Sequence, residues 1–132
     1  MSNDPQIIQP EGWIRPKGYS NGVAATGRWL FVAGQIGWDT AGTFAGADLV
    51  AQFDQALANV VAVVAAAGGA PTDIASMTIY VTDVVAYRAA GKALGAIWRA
   101  RLGKHYPAMA LVAVTALVEP AAVVEIQAFA MV

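Results

Sequence analysis

The chain has 132 residues, 58% hydrophobic and 13% charged, with a formal net charge of −1, one histidine and no cysteine. That length suits one domain with one core, and the apolar share exceeds the ~45–50% typical of globular domains. Such a composition excludes disulfides and thiolate metal sites, leaves too few ligands for zinc, and supplies no basic footprint for nucleic acid.

The opening MSNDPQIIQP has neither a basic n-region nor an apolar h-region, so a cytoplasmic protein is expected. Residues 1–17 read as an extended N-terminal segment of the single domain spanning 1–132. NGVAATGRWLFVAGQIG then holds two apolar runs around Thr26-Gly27-Arg28, the pattern of a β-hairpin. Gly34, Gly37, Gly42 and Gly46 punctuate a loop that also carries Trp38 and Asp39.

From Asp48 the period lengthens. Phe53, Leu57, Val60, Val61 and Val64 form one helical stripe, with Asp48 placed to cap its start and Gly68 its end. The longest apolar run, from Ala56 to Pro71, is interrupted by Asn59 and closed by Gly68-Gly69-Ala70-Pro71. It falls short of the roughly 20 residues that a bilayer span needs, so it reads as a core helix and no membrane partner is expected. IASMTIYVT alternates, with Met77, Ile79 and Val81 on one face and Thr78, Tyr80 and Thr82 on the other.

Asp83 can cap a second helix whose inner stripe is Tyr87, Ala90, Leu94, Ile97 and Trp98. Arg88, Lys92 and Arg99 fall on the opposite, solvated face, and Gly103 ends the helix. AMALVAVTALV is apolar at both parities, which predicts a strand covered on both faces. A last strand then puts Val124, Ile126, Ala128 and Ala130 on one face.

The order ββ–α–β–α–ββ gives one α+β domain, a mixed sheet with two helices on one face. The other face still carries Val, Phe and Leu, so it is expected to meet a second sheet, that of another subunit. One residue is at odds with its strand: Glu125 sits among Val123, Val124, Ile126, Ala128 and Phe129 without a cation nearby in sequence.

Taken together, KGYSNGV, LFVAGQIGWD, AQFDQALANVVAVVAAAGG, TIYVTDVVAY and YPAMALVAVTALVEPAAVVEIQAFA resemble the Rid family (YjgF type, reactive intermediate deaminases). The resemblance runs from about Gly18 to the C-terminus. It implies a chorismate-mutase-like fold assembled as a homotrimer, with a central sheet barrel, outer helices and a small-molecule ligand in each inter-subunit cleft. It also implies catalysis without metal or cofactor. In members that hydrolyse enamines and imines, a Tyr in a GPYS-like segment orients the substrate and a Glu in the final strand handles water and proton. An Arg in a PAR motif grips the substrate carboxylate, and an Asn on the second helix contributes. Tyr19 and Glu125 match the first two. Met109 stands at the Arg position, and Gly91 lies near the Asn position.

An apolar cleft would suit Glu125 to a role in which it both gives and takes a proton. Met109 cannot offer the forked grip of a guanidinium, so small 2-imino acids should bind weakly and a larger or more apolar ligand is favoured. Gly34, Trp38 and His105 join Met109 as substrate-binding candidates, and Arg15, Lys17, Arg101 and Lys104 are the other cations near the site segments in sequence. The resulting expectation is a Rid-like deaminase, a hydrolase of C=N bonds, acting on a substrate other than simple 2-imino acids. The alternative is a non-catalytic trimer that binds a small metabolite or a partner. Weak charge and the absence of basic–aromatic clusters in the linear sequence argue against an endoribonuclease.

Overall fold

The computed structural model describes residues 5–132. Its strands are β1 (Gln6–Ile8), β2 (Gly22–Ala24), β3 (Trp29–Ile36), β4 (Ile74–Val81), β5 (Ala108–Ala113) and β6 (Val124–Met131). The helices are α1 (Leu49–Ala66), α2 (Val84–Ala89) and α3 (Gly91–Leu102). A four-stranded mixed sheet runs β3-β6-β4-β5, and a separate ribbon joins β1 to β2. β6 is antiparallel to both neighbours, whereas β4 and β5 are parallel, linked by the α2–α3 crossover.

The core lies between one sheet face and the helices. Val124, Ile126, Ala128 and Ala130 of β6 are all fully buried, as are Leu57, Val60 and Val64 of α1. Burying each large aliphatic side chain contributes roughly 1.5–3 kcal/mol, so this seam dominates the stability. α1 is long and apolar enough to cross a membrane, yet its Phe53–Leu57–Val64 stripe is spent on the sheet. Asp48 caps it by accepting from the Ala51 N–H at 3.3 Å, and Gly68 follows it at φ +87°. Asp83 accepts from the N–H groups of Val85 and Ala86, both at 3.0 Å, and Gly103 ends α3 at φ +63°.

Several expectations are corrected. The hairpin across Thr26-Gly27-Arg28 does not form: β2 pairs with β1, and β3 pairs with β6. Arg28 exchanges backbone hydrogen bonds with Val132 at 2.8 and 2.9 Å, so the chain is carried to the C-terminal strand instead of turning back. An eight-residue apolar partner outcompetes a three-residue one. Part of the extended N-terminal segment is therefore β1; residues 1–4 lie outside the described residues. Gly34 belongs to β3, not to a loop.

The second helix is split at Ala90, just before Gly91, where helix preference is weakest. β5 stops at Ala113, well short of the expected strand, and Val118 beyond it is 97% exposed. β5 is also an edge strand. Ala110 and Val112 are exposed, so the chain itself covers only the face carrying Met109 and Leu111.

Candidate functional site

Strand alternation sends Val124 and Ile126 into the helix-covered core and Glu125 to the open face. The register sets Glu125 between Ile36 of β3 and Tyr80 of β4. Between Val32 and Gln35 the β3 register slips, and Gly34 lies in that irregularity. The Glu125 side chain rests on Gly34: a Cβ there would stand 2.7 Å from Glu125 Cδ and 3.0 Å from Oε1. Only glycine leaves that space. The side chain is half-buried. Among the described residues no cation pairs with it, the one ion pair being Arg101 Nε–Asp54 Oδ1 at 2.8 Å.

Tyr19 reaches the sheet from another direction. Gly18 turns at φ +77°, and Ser20 then bridges to Ala108 in parallel, adding a rung to the β5 edge. The Ser20 N–H donates to the Pro107 carbonyl at 3.0 Å, and its hydroxyl donates to the Tyr106 carbonyl. Tyr19 stays 40% exposed. It borders a groove of about 340 Å³ shared with Asn21, Thr78 and Ala110.

Met109 pairs with buried Met77, so its thioether is on the helix side. There it lines a cavity of about 290 Å³ together with Gly18, Tyr87, Arg88, Gly91 and Trp98. The structure thus brings Met109, Gly91 and the turn before Tyr19 together. Arg88, read from sequence as part of a solvated face, lines the same cavity. A usable signal was present: no acid stands three or four residues from Arg88 to occupy its charge. Burial pushes the Tyr87 phenol above its ordinary value of 10.0, so it remains a neutral hydroxyl.

A further groove of about 450 Å³ gathers Trp13, Arg15, Tyr19, Lys104, His105 and Tyr106. The fold thus joins two short stretches, 13–19 and 104–106, into a basic–aromatic grouping, which corrects the expectation that the chain has none. His105 is also a structural tie, with Nε2 2.7 Å from the Ile74 carbonyl, while its own carbonyl accepts from Trp98 Nε1 at 2.9 Å. Arg101 is engaged with Asp54, and Lys17 is exposed. Trp38 packs on Phe44 at 5.8 Å, its carbonyl accepting from Asn59 at 2.8 Å, and it lines none of these three cavities.

Glu125 with Gly34 and Met109 with Gly91 therefore occupy opposite faces of one sheet. Within a single chain they cannot address the same small molecule.

Comparison with known proteins agrees with this architecture. The family model described as endoribonuclease L-PSP matches residues 14–132. A protein of unknown function of the conserved Rid protein family, YyfB from Yersinia pestis, is 33% identical, with 98% of this chain and 99% of that one covered at a TM-score of 0.87. A member of the YjgF/YER057c/UK114 family from Mycobacterium tuberculosis is 31% identical, over 97% of this chain and 99% of that one, at 0.66. RidA from an Antarctic Psychrobacter is 29% identical, over 96% of this chain and 99% of that one, at 0.69. No protein of curated function matches the sequence significantly. With its β-α-β-α-β core and a family match over nearly its whole length, the chain belongs to the Rid family of YjgF type.

Proposed function

We propose that the protein is a Rid-type deaminase, acting in the cytosol as a homotrimer, that hydrolyses a reactive enamine or imine to a carbonyl compound and ammonia. The observation that carries this reading is the Glu125 carboxyl, half-buried in an apolar strand, seated on Gly34 and free of any cationic partner among the described residues. A carboxylate so placed has no structural bond to maintain and is available for proton transfer. Because Glu125 and the Met109 cavity lie on opposite faces, the reaction cleft would combine Glu125 of one subunit with Tyr19 and Met109 of the next.

In the reaction, an enamine is first protonated at carbon to give the iminium ion, which releases one N–H proton to leave the neutral imine. Water then adds across C=N, its oxygen to carbon, while Glu125 takes one proton from the water and returns it to nitrogen. The carbinolamine collapses, the C–N bond breaks, and ammonia leaves as the carbonyl forms. Tyr19 positions the substrate. Met109 supplies no carboxylate grip. Loss of such a charged hydrogen-bond pair at that position typically costs about 2–5 kcal/mol, so 2-iminopropionate, which has no apolar body to compensate, should be a poor substrate.

The test is ammonia release from a freshly generated imine. The rate should scale with protein and drop by at least about a hundredfold in Glu125→Gln. Release indifferent to that substitution refutes the reading. The apolar lining around Met109 favours a second reading, a non-catalytic trimer that binds a small metabolite or a partner. Thermal stabilisation by a ligand with no ammonia from any imine would select it.

A further inference from the structure

The 290 Å³ cavity beside Met109 has a polarity of its own. Phe53, Ile79, Leu94 and Trp98, all nearly buried, supply apolar walls. Trp98 and Tyr106 stack at 5.9 Å with planes 3° apart, giving the cavity a flat aromatic side. Among the described residues no acidic side chain lines it, and Arg88 is its single cation. Arg88 forms no ion pair among the described residues, and its helical neighbours Val84, Val85, Gly91 and Lys92 offer no acid. Arg88 is exposed, whereas the apolar wall residues are buried.

The helix wall is also set back. Gly95 lies inside α3, where glycine weakens a helix relative to alanine. It is not in a turn and has no positive φ, and a Cβ there would meet only Arg99 Nη1 at 3.6 Å. At Gly91 an added Cβ would meet nothing within 4 Å. Both glycines line the cavity, so their missing side chains become ligand volume. The size sits at the lower end of small-molecule sites.

We infer that this cavity binds a small carboxylic acid with a flat apolar body, the body lying against Trp98, Tyr106 and Met109 and the carboxylate held by Arg88 at the mouth. A planar guanidinium pairs with a carboxylate through two parallel N–H···O bonds. Tyr87, whose hydroxyl is neutral, lines the same cavity and offers a further donor. This deepens the proposed function, since it names the substrate class as an apolar-bodied acid, and for turnover it rests on that reading.

Isothermal titration calorimetry with 3-phenylpropionate, its amide and acetate tests it. The acid should bind, the amide about tenfold more weakly or worse, and acetate not measurably. Arg88→Gln should raise the Kd for the acid at least about tenfold, Arg88→Lys should restore part of it, and Arg28→Gln, which lines no part of the cavity, should change nothing. Gly95→Leu should abolish binding of acid and amide alike. Equal binding of acid and amide, no binding of either, or a Kd unmoved by Arg88→Gln overturns the inference. Ammonia release separates the two claims. Binding through Arg88 without turnover of any imine leaves the inference standing and removes the deaminase. Turnover that ignores Arg88→Gln does the reverse.

Discussion

Glu125 and Gly34 form a pair that neither residue announces alone. Alternation along β6 puts Glu125 on the open face, but only the β3 register irregularity slides Gly34 under its carboxyl. Gly34→Ala places a methyl group 2.7 Å from Glu125 Cδ, so the carboxyl must move. Displacement of a catalytic group by about 1 Å can cost on the order of a hundredfold in rate. Ammonia release should fall by about that factor while the far-ultraviolet circular dichroism is kept; full activity in Gly34→Ala would show that the contact is only packing. Tyr87 permits a prediction with a definite sign. Its folded pKa lies above 10.0 because burial disfavours the phenolate. The stability it contributes is complete below pH 10.0 and is lost as pH rises through the folded value. Urea midpoints between pH 9 and 11.5 should therefore decline less steeply in Tyr87→Phe than in the parent; parallel declines would contradict this.

At the scale of elements, α1 does more than pack. Gln52, fully buried on the stripe that continues to Ala56 and Val60, donates to the carbonyls of Gly46 at 2.9 Å and Ala121 at 2.8 Å. It accepts from the Val123 N–H at 2.9 Å, just ahead of β6. Asn59, one turn beyond Gln55, holds the carbonyls of Ile36 and Trp38 at 3.1 and 2.8 Å. The helix thus ties the loop after β3 and the approach to Glu125 to one frame. Gln52→Leu removes the partner of three part-buried backbone groups and should cost about 1–3 kcal/mol, measured by urea unfolding. A loss below about 0.5 kcal/mol would mean that water replaces the amide. The periodicity of the α1 stripe does not single out Gln52, and its three partners, separated by up to 71 positions, are set by the fold.

For the whole molecule, the open sheet face is the outstanding feature. Trp29 and Phe31 are 61% and 67% exposed, stacked at 5.7 Å, and Phe31 meets Phe129 edge-on at 5.5 Å. Contiguous exposed aromatics of this kind mark interaction surfaces, and the proposed trimer would cover them with the neighbouring sheet. Phe31→Glu should convert a trimer to monomers in sedimentation velocity and remove ammonia release with it, because each cleft needs two subunits. A parent chain that sediments as a monomer would sink the proposed cleft.

The sequence by itself determined the parts governed by local periodicity. The α1 stripe, the Asp48 and Asp83 caps, and the alternation of β4 and β6 follow from side-chain spacing and capping chemistry, which act over a few residues. The misplaced Glu125 was likewise legible from its sequence neighbours alone. Tertiary structure decided which strands pair. Strand partnership is a competition between distant segments, and β6 won β3 from β2 by length. It also decided that Arg88 and the glycines of α3 share a cavity with Met109, and that Glu125 lies across the sheet from them. Proximity between groups far apart along a chain is set by packing, which no spacing rule encodes.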